Sequence, residues 1–340
     1  MRARLGDYIQ EYSVKNKKDD NIPVYSVTNT QGFCEGYFGK EVASKDKTTY
    51  KIVPRGYFAY NPSRINVGSV DWQREKERVI VSPLYNVFSV SSEIDQQYLF
   101  YYLKSDMVLQ RIKAVATGSV RNNLKFTTLS DFPIELRSIY EQKEIVKILD
   151  KTKRIIELYR MQLESIDELV RARFVEMFGD PIINDKSLPM RTLSSLSVLK
   201  AGKAIKTGEL VDEDDCCLYP CYGGNGIRGF INRYSNEGDF PIIGRQGAWA
   251  GNVNFASGKF YATEHAIVVT PLIDLNTIWY YYALKLLDLT RFQTGAAQPG
   301  LAVDRLKKIN IPFPPIELQN QFADFVRETD KSRLHVLYIS

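Results

Sequence analysis

From Ile139 to Phe178 the chain contains neither Gly nor Pro, and apolar side chains return at every seventh position. One line runs Leu149, Ile156, Leu163, Val170, Met177, and a second runs Ile145, Thr152, Tyr159, Ile166, Arg173. Charges of both signs fill the other faces. This spacing predicts one continuous helix with a coiled-coil-like seam. At ~1.5 Å per residue it is about 60 Å long, more than one small core can cover, so it calls for a partner helix. Gly179–Asp180–Pro181 supplies the stop, Gly as a C-cap and Pro as a breaker.

Period-two patterns flank this helix. Residues 22–90 carry short Val/Ile/Tyr/Phe runs such as "IPVYSVTN", "YKIVPRGYFAYNP" and "RVIVSPLYNVFSV", punctuated by Gly, Pro and Asn. Residues 218–271 do the same with "CLYPCYGG", "GFINRY", "PIIGRQG" and "FYATEHAIVVTP". These read as strands of curled sheets. An aromatic helix follows each, "QYLFYYLKSDMVLQRI" and "IWYYYALKLLDLTRF".

What comes next is the same in both places. "VATGSVRNNLKFTTLSDFPIELRSIYEQKEI" (115–145) and "FQTGAAQPGLAVDRLKKINIPFPPIELQNQF" (292–322) align at an offset of 177. Gly118 falls on Gly295, Leu124 on Leu301, Leu129 on Leu306, Phe132 on Ile309, Ile134 on Ile311, Gln142 on Gln319 and Ile145 on Phe322. The chain is therefore an internal duplication of the α+β class: two β-rich domains separated by long antiparallel helices, with pseudo-two-fold symmetry. The boundaries read as 1–137 for the first domain, 138–180 for the central helix, 181–314 for the second domain and 315–340 for a distal helix. At the same offset Leu149 falls on Val326, Ile156 on Arg333 and Leu163 on Ser340, so the distal helix covers about half the length of the first. The expectation is that Leu163, Ile166, Val170 and Met177 lie exposed and drive self-association or require a partner.

Composition places this pattern in a soluble protein. Hydrophobic residues make up 44% and charged residues 25%. No apolar run approaches the ~20 residues of a membrane span. The opening "MRARLGDYIQEY" is too polar for a secretory signal, so the expected location is cytoplasmic, with no membrane partner. The net charge of +5 resides in residues 1–137, which hold 20 basic and 15 acidic residues. A mildly basic region is compatible with nucleic acid and equally with a solvated surface.

Signatures of catalysis fail one by one. "GNGIRG" (Gly224–Gly229) has dinucleotide-loop spacing, but strand-like "FINRY" follows where a helix is needed, so it reads as a hairpin turn. "YNPSR" (Tyr60–Arg64) lacks the second Pro and the aromatic of a base-methyltransferase motif. Cys216, Cys217 and Cys221 do not have zinc spacing, which leaves ordinary reduced thiols. His265 has no Ser or Cys partner near it in sequence. No metal site and no cofactor is expected in this chain.

What remains is polar and aromatic side chains at strand ends and turns. In the first domain these are Tyr60, Asn61, Arg64, Arg74, Lys76, Arg78, Arg121 and Asn122. In the second they are Asn225, Arg228, Arg245, Gln246, Trp249, His265 and Gln298. Arg pairs with guanine and Asn or Gln with adenine through two hydrogen bonds in the major groove. Loops on rigid sheets suit such groups, although polar residues occupy turns in any protein.

The duplicated "ATGSVRNNL…DFPIEL…EQKEIVKIL" and "QTGAAQPGL…INIPFPPIELQNQFADFV", the helix end "RARFVEMFGDP" and the openings "RLGDYIQEY" and "RTLSSLSVLKAG" together resemble the specificity subunit of type I restriction–modification systems. The resemblance spans nearly the whole chain. It implies two target-recognition domains, each reading one half of a bipartite, asymmetric sequence in double-stranded DNA. It implies paired helices that set the gap and, with residues such as Leu149, Ile156, Leu163, Ile166, Val170 and Met177, dock two modification subunits. S-adenosylmethionine would then belong to those methyltransferase subunits, and ATP and Mg to restriction subunits, with no catalysis here. Two other readings stay open at this point: the recognition part of a fused restriction–methyltransferase enzyme, and a protein-binding assembly scaffold.

Overall fold

The computed structural model describes residues 2–18, 21–35, 46–115, 123–206, 208–212, 217–295 and 299–338. The chain divides into two compact units, Met1–Ile155 and Ile156–Ser340. The predicted long helix is continuous from Ile139 to Phe178 and contributes residues to both units. Among the described residues no helix is long and apolar enough to cross a membrane.

In the first unit a short ladder pairs Arg2–Arg4 antiparallel with Pro133–Glu135, and the Leu5 N–H donates to the Phe132 carbonyl at 2.8 Å. The central sheet is four-stranded and antiparallel, in the order Ile9–Glu11, Asn86–Val90, Phe58–Tyr60, Val70–Trp72. Its central strands are apolar at successive positions because both faces are covered. Phe58, Tyr60 and Phe88 face a helical core with Leu99, Leu103 and Ile112, whereas Ala59 and Val87 face Val27, Val53, Val79 and Val81. That second layer is made of two antiparallel pairs, Tyr25–Thr28 with Gly32–Glu35 and Lys51–Pro54 with Arg78–Val81. Asp95 caps the aromatic helix Gln96–Lys104, its carboxylate accepting from the N–H groups of Gln97 (2.9 Å) and Tyr98 (3.0 Å).

The second unit repeats this plan with one layer changed. Met190–Thr192 pairs with Asn310–Pro312, and the Leu193 N–H donates to the Ile309 carbonyl at 2.9 Å. The central sheet has the same order: Ser197–Ala201, Ala266–Pro271, Phe240–Gly244, Val253–Ala256. Ile243, Ile267 and Val269 face the helices; Ile242, Ala266 and Val268 face the second layer. Here that layer is a four-stranded sheet, Gly226–Ile231, Tyr219–Gly223, Lys259–Ala262, Asn236–Glu237, with one parallel pairing. Asn276 caps the aromatic helix Thr277–Leu286 in the place of Asp95.

The distal helix Ile316–Tyr338 packs on the last turns of the long helix. Phe322 meets Phe174 and Phe178 edge-on at ring distances of 5.3 and 5.7 Å, and Arg173 lies over Phe325 at 5.8 Å. The contacts step forward on one helix as they step back on the other, so the two run in opposite directions. This overturns the expected exposure. Val170 is 1% and Ile166 8% exposed, and Leu163 and Met177 are partly buried. An antiparallel partner that begins near Pro315 reaches the end of the long helix first, so a short distal helix protects residues 166–178. The exposed part lies earlier: Ile148, Leu149, Ile155 and Ile156 all face solvent.

Candidate nucleic-acid interface

In both units the chain leaves a central strand, makes a loop with one helical turn, and returns as the edge strand. The loops are 61–69 and 244–252, and they share their backbone bonds. Asn61 N–H donates to the Ser69 carbonyl (3.3 Å), as Gly244 does to Asn252 (2.8 Å). Val67 N–H donates to Arg64 (3.2 Å), as Ala250 does to Gly247 (3.0 Å). The repeated leucine found after the Thr-Gly sequence fastens each loop from outside. Leu124 N–H donates to the Pro62 carbonyl (3.1 Å), and Leu301 N–H to the Arg245 carbonyl at the matching position (2.8 Å). The scaffold is thus duplicated down to single hydrogen bonds, while Asn61, Pro62, Ser63, Arg64 and Asn66 of one loop correspond in position to Gly244, Arg245, Gln246, Gly247 and Trp249 of the other.

In the first unit the loop borders an open cleft of about 530 Å³ lined by Asn61, Ser63, Leu84, Asn86, Asn123 and Lys125. Asn61 holds the turn, its Oδ1 accepting from the N–H (3.1 Å) and the hydroxyl (2.9 Å) of Ser63. Arg64 is exposed beside it. Tyr60 is a correction: it is fully buried, because its ring fills the helical core and its hydroxyl donates to the Leu124 carbonyl (3.2 Å) and accepts from Asn86 Nδ2 (2.8 Å). Burial raises the phenol's pKa well above the usual range, and the side chain cannot touch a ligand.

Arg74 is exposed but already engaged within its unit. Its guanidinium pairs at 2.9 Å with Asp71, a buried carboxylate, and lies over the rings of Trp72 (4.5 Å) and Phe100 (5.3 Å). It also donates to the Trp72 carbonyl and to Gln97. These partners occupy it as a strut between the edge strand and the aromatic helix. Lys76 and Arg78 are exposed. Arg121 and Asn122 lie outside the described residues, as do Gln298, Gly118 and Cys216.

In the second unit the first two residues of "GNGIRG", Gly224 and Asn225, form the hairpin turn between Tyr219–Gly223 and Gly226–Ile231, and the other four belong to the second strand. Asn225 Oδ1 accepts from Asn252 Nδ2 at 3.2 Å, which ties that turn to the 244–252 loop. The Arg245 N–H donates to the His265 carbonyl at 2.9 Å, and His265 Nε2 lies 3.2 Å from Glu264 on a half-exposed corner. Arg228, Gln246 and Trp249 are exposed around it. Five of the expected residues of this unit therefore converge with Asn225 on one end of the two sheets. Cys221 is buried in its strand, which pushes its thiol pKa up, and Cys217 is exposed.

Sequence reasoning missed the loop itself as the repeated unit. Loops 61–69 and 244–252 share one residue at matching positions, Gly68 and Gly251, both in the left-handed region at φ 88° and 85°; the rest of their equivalence is carried by backbone bonds that leave no trace in side-chain identity. The recurring leucines were visible, but not what they hold.

A duplicated sheet-and-helix unit whose loops differ on a constant scaffold defines a class of internally repeated proteins. The chain belongs to the type I restriction–modification DNA specificity family, whose domain profile matches residues 6–168 and again 188–335. It is 34% identical over 248 residues to the type I restriction enzyme EcoprrI specificity subunit of Escherichia coli, covering 69% of this chain and 61% of that one. The match to the MjaVIII specificity subunit of Methanocaldococcus jannaschii is 20% identical and covers 96% of this chain and 85% of the relative. Among solved structures, the type I restriction–modification S subunit from M. genitalium has the same fold, with a TM-score of 0.61 at 17% identity over 99% of this chain and 91% of the other. The chain thus spans about three fifths of the length of its Escherichia coli relative.

Proposed function

We propose that this chain is the DNA-sequence-recognition subunit of a type I restriction–modification complex. Each unit reads one half of a bipartite, asymmetric target in duplex DNA. The observation that carries this reading is the loop pair: the same backbone, fastened by the same bonds to Leu124 and Leu301, presents Arg64 and Asn66 in one unit and Gln246 and Trp249 in the other. A scaffold held constant while its tips differ is what two unlike half-sites require.

The chain performs no chemistry of its own in this reading, and it acts in the cytoplasm. Its polar surfaces offer amides and guanidinium groups, which suit base edges and phosphates. Two modification subunits dock on the helices and bring S-adenosylmethionine; restriction subunits bring ATP hydrolysis and Mg. The exposed apolar row Ile148, Leu149, Ile155 and Ile156 supports a helix-borne docking surface.

Methylation mapping in a host that carries this chain and its partner subunits tests the reading. The expected result is methylated adenines in a two-part motif with a fixed gap, lost when this chain is deleted. A host methylome unchanged by the deletion contradicts it. A slope of affinity against salt on purified duplex separates the reading from a protein-only scaffold, because phosphate contacts release counterions.

A further inference from the structure

Trp249 is 53% exposed, whereas Trp279 is 1% exposed and Trp72 lies under Arg74. An exposed indole on a slack loop would fold down onto the nearest apolar surface. This one is on a stiff loop. Gly247 enters its turn at φ 73°, and its N–H donates to the Pro299 carbonyl at 2.9 Å. Asn252 N–H donates to the Trp249 carbonyl (3.1 Å), and Gly251 N–H to Gly244 (2.8 Å). The next residue, Ala250, is 1% exposed. Around the Trp249 backbone the packing is tight: a Cβ on Gly244 would fall 2.1 Å from the Trp249 carbonyl and 2.6 Å from that of Gly224. The exposed indole is therefore carried on close-packed backbone, with Gln246 exposed on the same loop and Gly224 of the Asn225 turn packed near the Trp249 Cβ. Ile227, also 53% exposed, adds a second apolar group on that turn.

From this geometry we propose that Trp249 is a wedge that inserts between base pairs of the half-site read by the second unit. The inference rests on the recognition reading above and adds to it a deformation of the DNA. A flat, pre-organised apolar ring rimmed by hydrogen-bonding groups matches the face of a base. In B-form DNA those faces are covered by their neighbours, so the ring gains them only where a step opens and the duplex kinks. Specificity then includes how easily that step deforms, at positions no side chain hydrogen-bonds. The first unit has Asn66 at the matching loop position, so the kink belongs to one half-site only.

The test uses the full chain with its modification subunits, on duplexes carrying the mapped target with 2-aminopurine at each position in turn. The expected result is a rise in fluorescence at one step of one half-site, kept by Trp249→Phe and lost in both Trp249→Ala and Trp249→Asn. Affinity of the Ala variant falls about 5- to 150-fold, the range for a lost base–aromatic stack. The circular dichroism of each variant matches the parent. Silence of 2-aminopurine at every position while the parent is bound overturns the wedge. So does a loss of affinity reproduced by replacing a thymine with deoxyuridine, since the ring would then lie on a methyl group in an intact groove. If the parent binds the target no more tightly than random duplex, the recognition reading fails first and the wedge with it.

Discussion

Gln142 Oε1 accepts a 2.8 Å hydrogen bond from the backbone N–H of Asp95, the residue that caps the first aromatic helix. Its Nε2 donates to the carbonyls of Glu93 and Arg137, each at 2.8 Å. Gln319 repeats the arrangement in the other unit, accepting from Asn276 (2.9 Å) and donating to Pro314 (2.8 Å). Both glutamines are fully buried. One side chain thus joins the start of the aromatic helix to the entry of the next long helix. A primary amide supplies an acceptor oxygen and two N–H donors at that junction with no net charge.

Replacing Gln142 with Leu removes three hydrogen bonds and orphans the Asp95 N–H. Each buried group left without a partner costs about 1–3 kcal/mol, so the variant is expected to unfold at lower denaturant concentration by at least that amount. Gln319→Leu loses one bond fewer among those named and is expected to lose less. A midpoint within experimental error of the parent for both variants contradicts the junction role. Amide exchange at Asp95 and Asn276 gives the local readout.

Phe322→Ala is expected to cost about 3–5 kcal/mol. The ring is fully buried and contacts Phe174, Phe178 and Tyr282 at 5.3, 5.7 and 5.4 Å. Ile145, its partner in the duplication, is only partly buried, so Ile145→Ala should cost clearly less. Chemical denaturation of the two variants, compared at equal protein concentration, checks the asymmetry.

Arg64 and Arg74 separate reading from support. Arg64→Ala is expected to weaken binding to one half-site by about 1–3 kcal/mol with the melting temperature unchanged; Arg78→Ala is expected to weaken the same half-site, and Arg245→Ala and Gln246→Ala the other. Arg74→Ala strips the buried Asp71 carboxylate of its cation. It is expected to cost about 1–2 kcal/mol of stability and to lower affinity for all sequences alike. Asp71 keeps the N–H groups of Phe33 and Trp72, which limits the loss. Arg74→Ala with normal stability and relaxed base preference would reverse the assignment.

Much of this architecture was legible because it is periodic or repeated. The heptad line from Leu149 to Met177 marked a helix that the structure carries from Ile139 to Phe178, and the offset of 177 marked two equivalent ladders and junctions. What the pattern could not settle was which stretch of a long seam is covered. Val170 and Leu149 are alike as letters, and only the direction of the partner helix buries the first and exposes the second. Tyr60 shows the same limit at the candidate site. A tyrosine before Asn-Pro reads as a strand-end contact, but it is the last inward position of a strand covered on both faces. The engagement of Arg74 was not legible because its partner Asp71, three residues earlier, is buried by tertiary packing rather than by local sequence.

The long helix also sets a length. Residues 147–158 are all exposed, so added residues there disturb no packed seam. Four residues inserted between Lys153 and Arg154 lengthen the helix by about 6 Å, close to two base pairs at ~3.4 Å each. Four helical residues turn it by about 40° beyond a full turn, and two base pairs turn the DNA by about 70°. The residual of about 30° is small enough for the helix and the duplex to share as twist. The inserted chain, carried with its modification subunits, is therefore expected to methylate the same two half-sites with a gap longer by about two base pairs. Methylation mapping of the host reads this directly. An active complex whose gap is unchanged would show that the helix does not measure the distance, and changed half-sites would show that the insertion disturbed the recognition units instead.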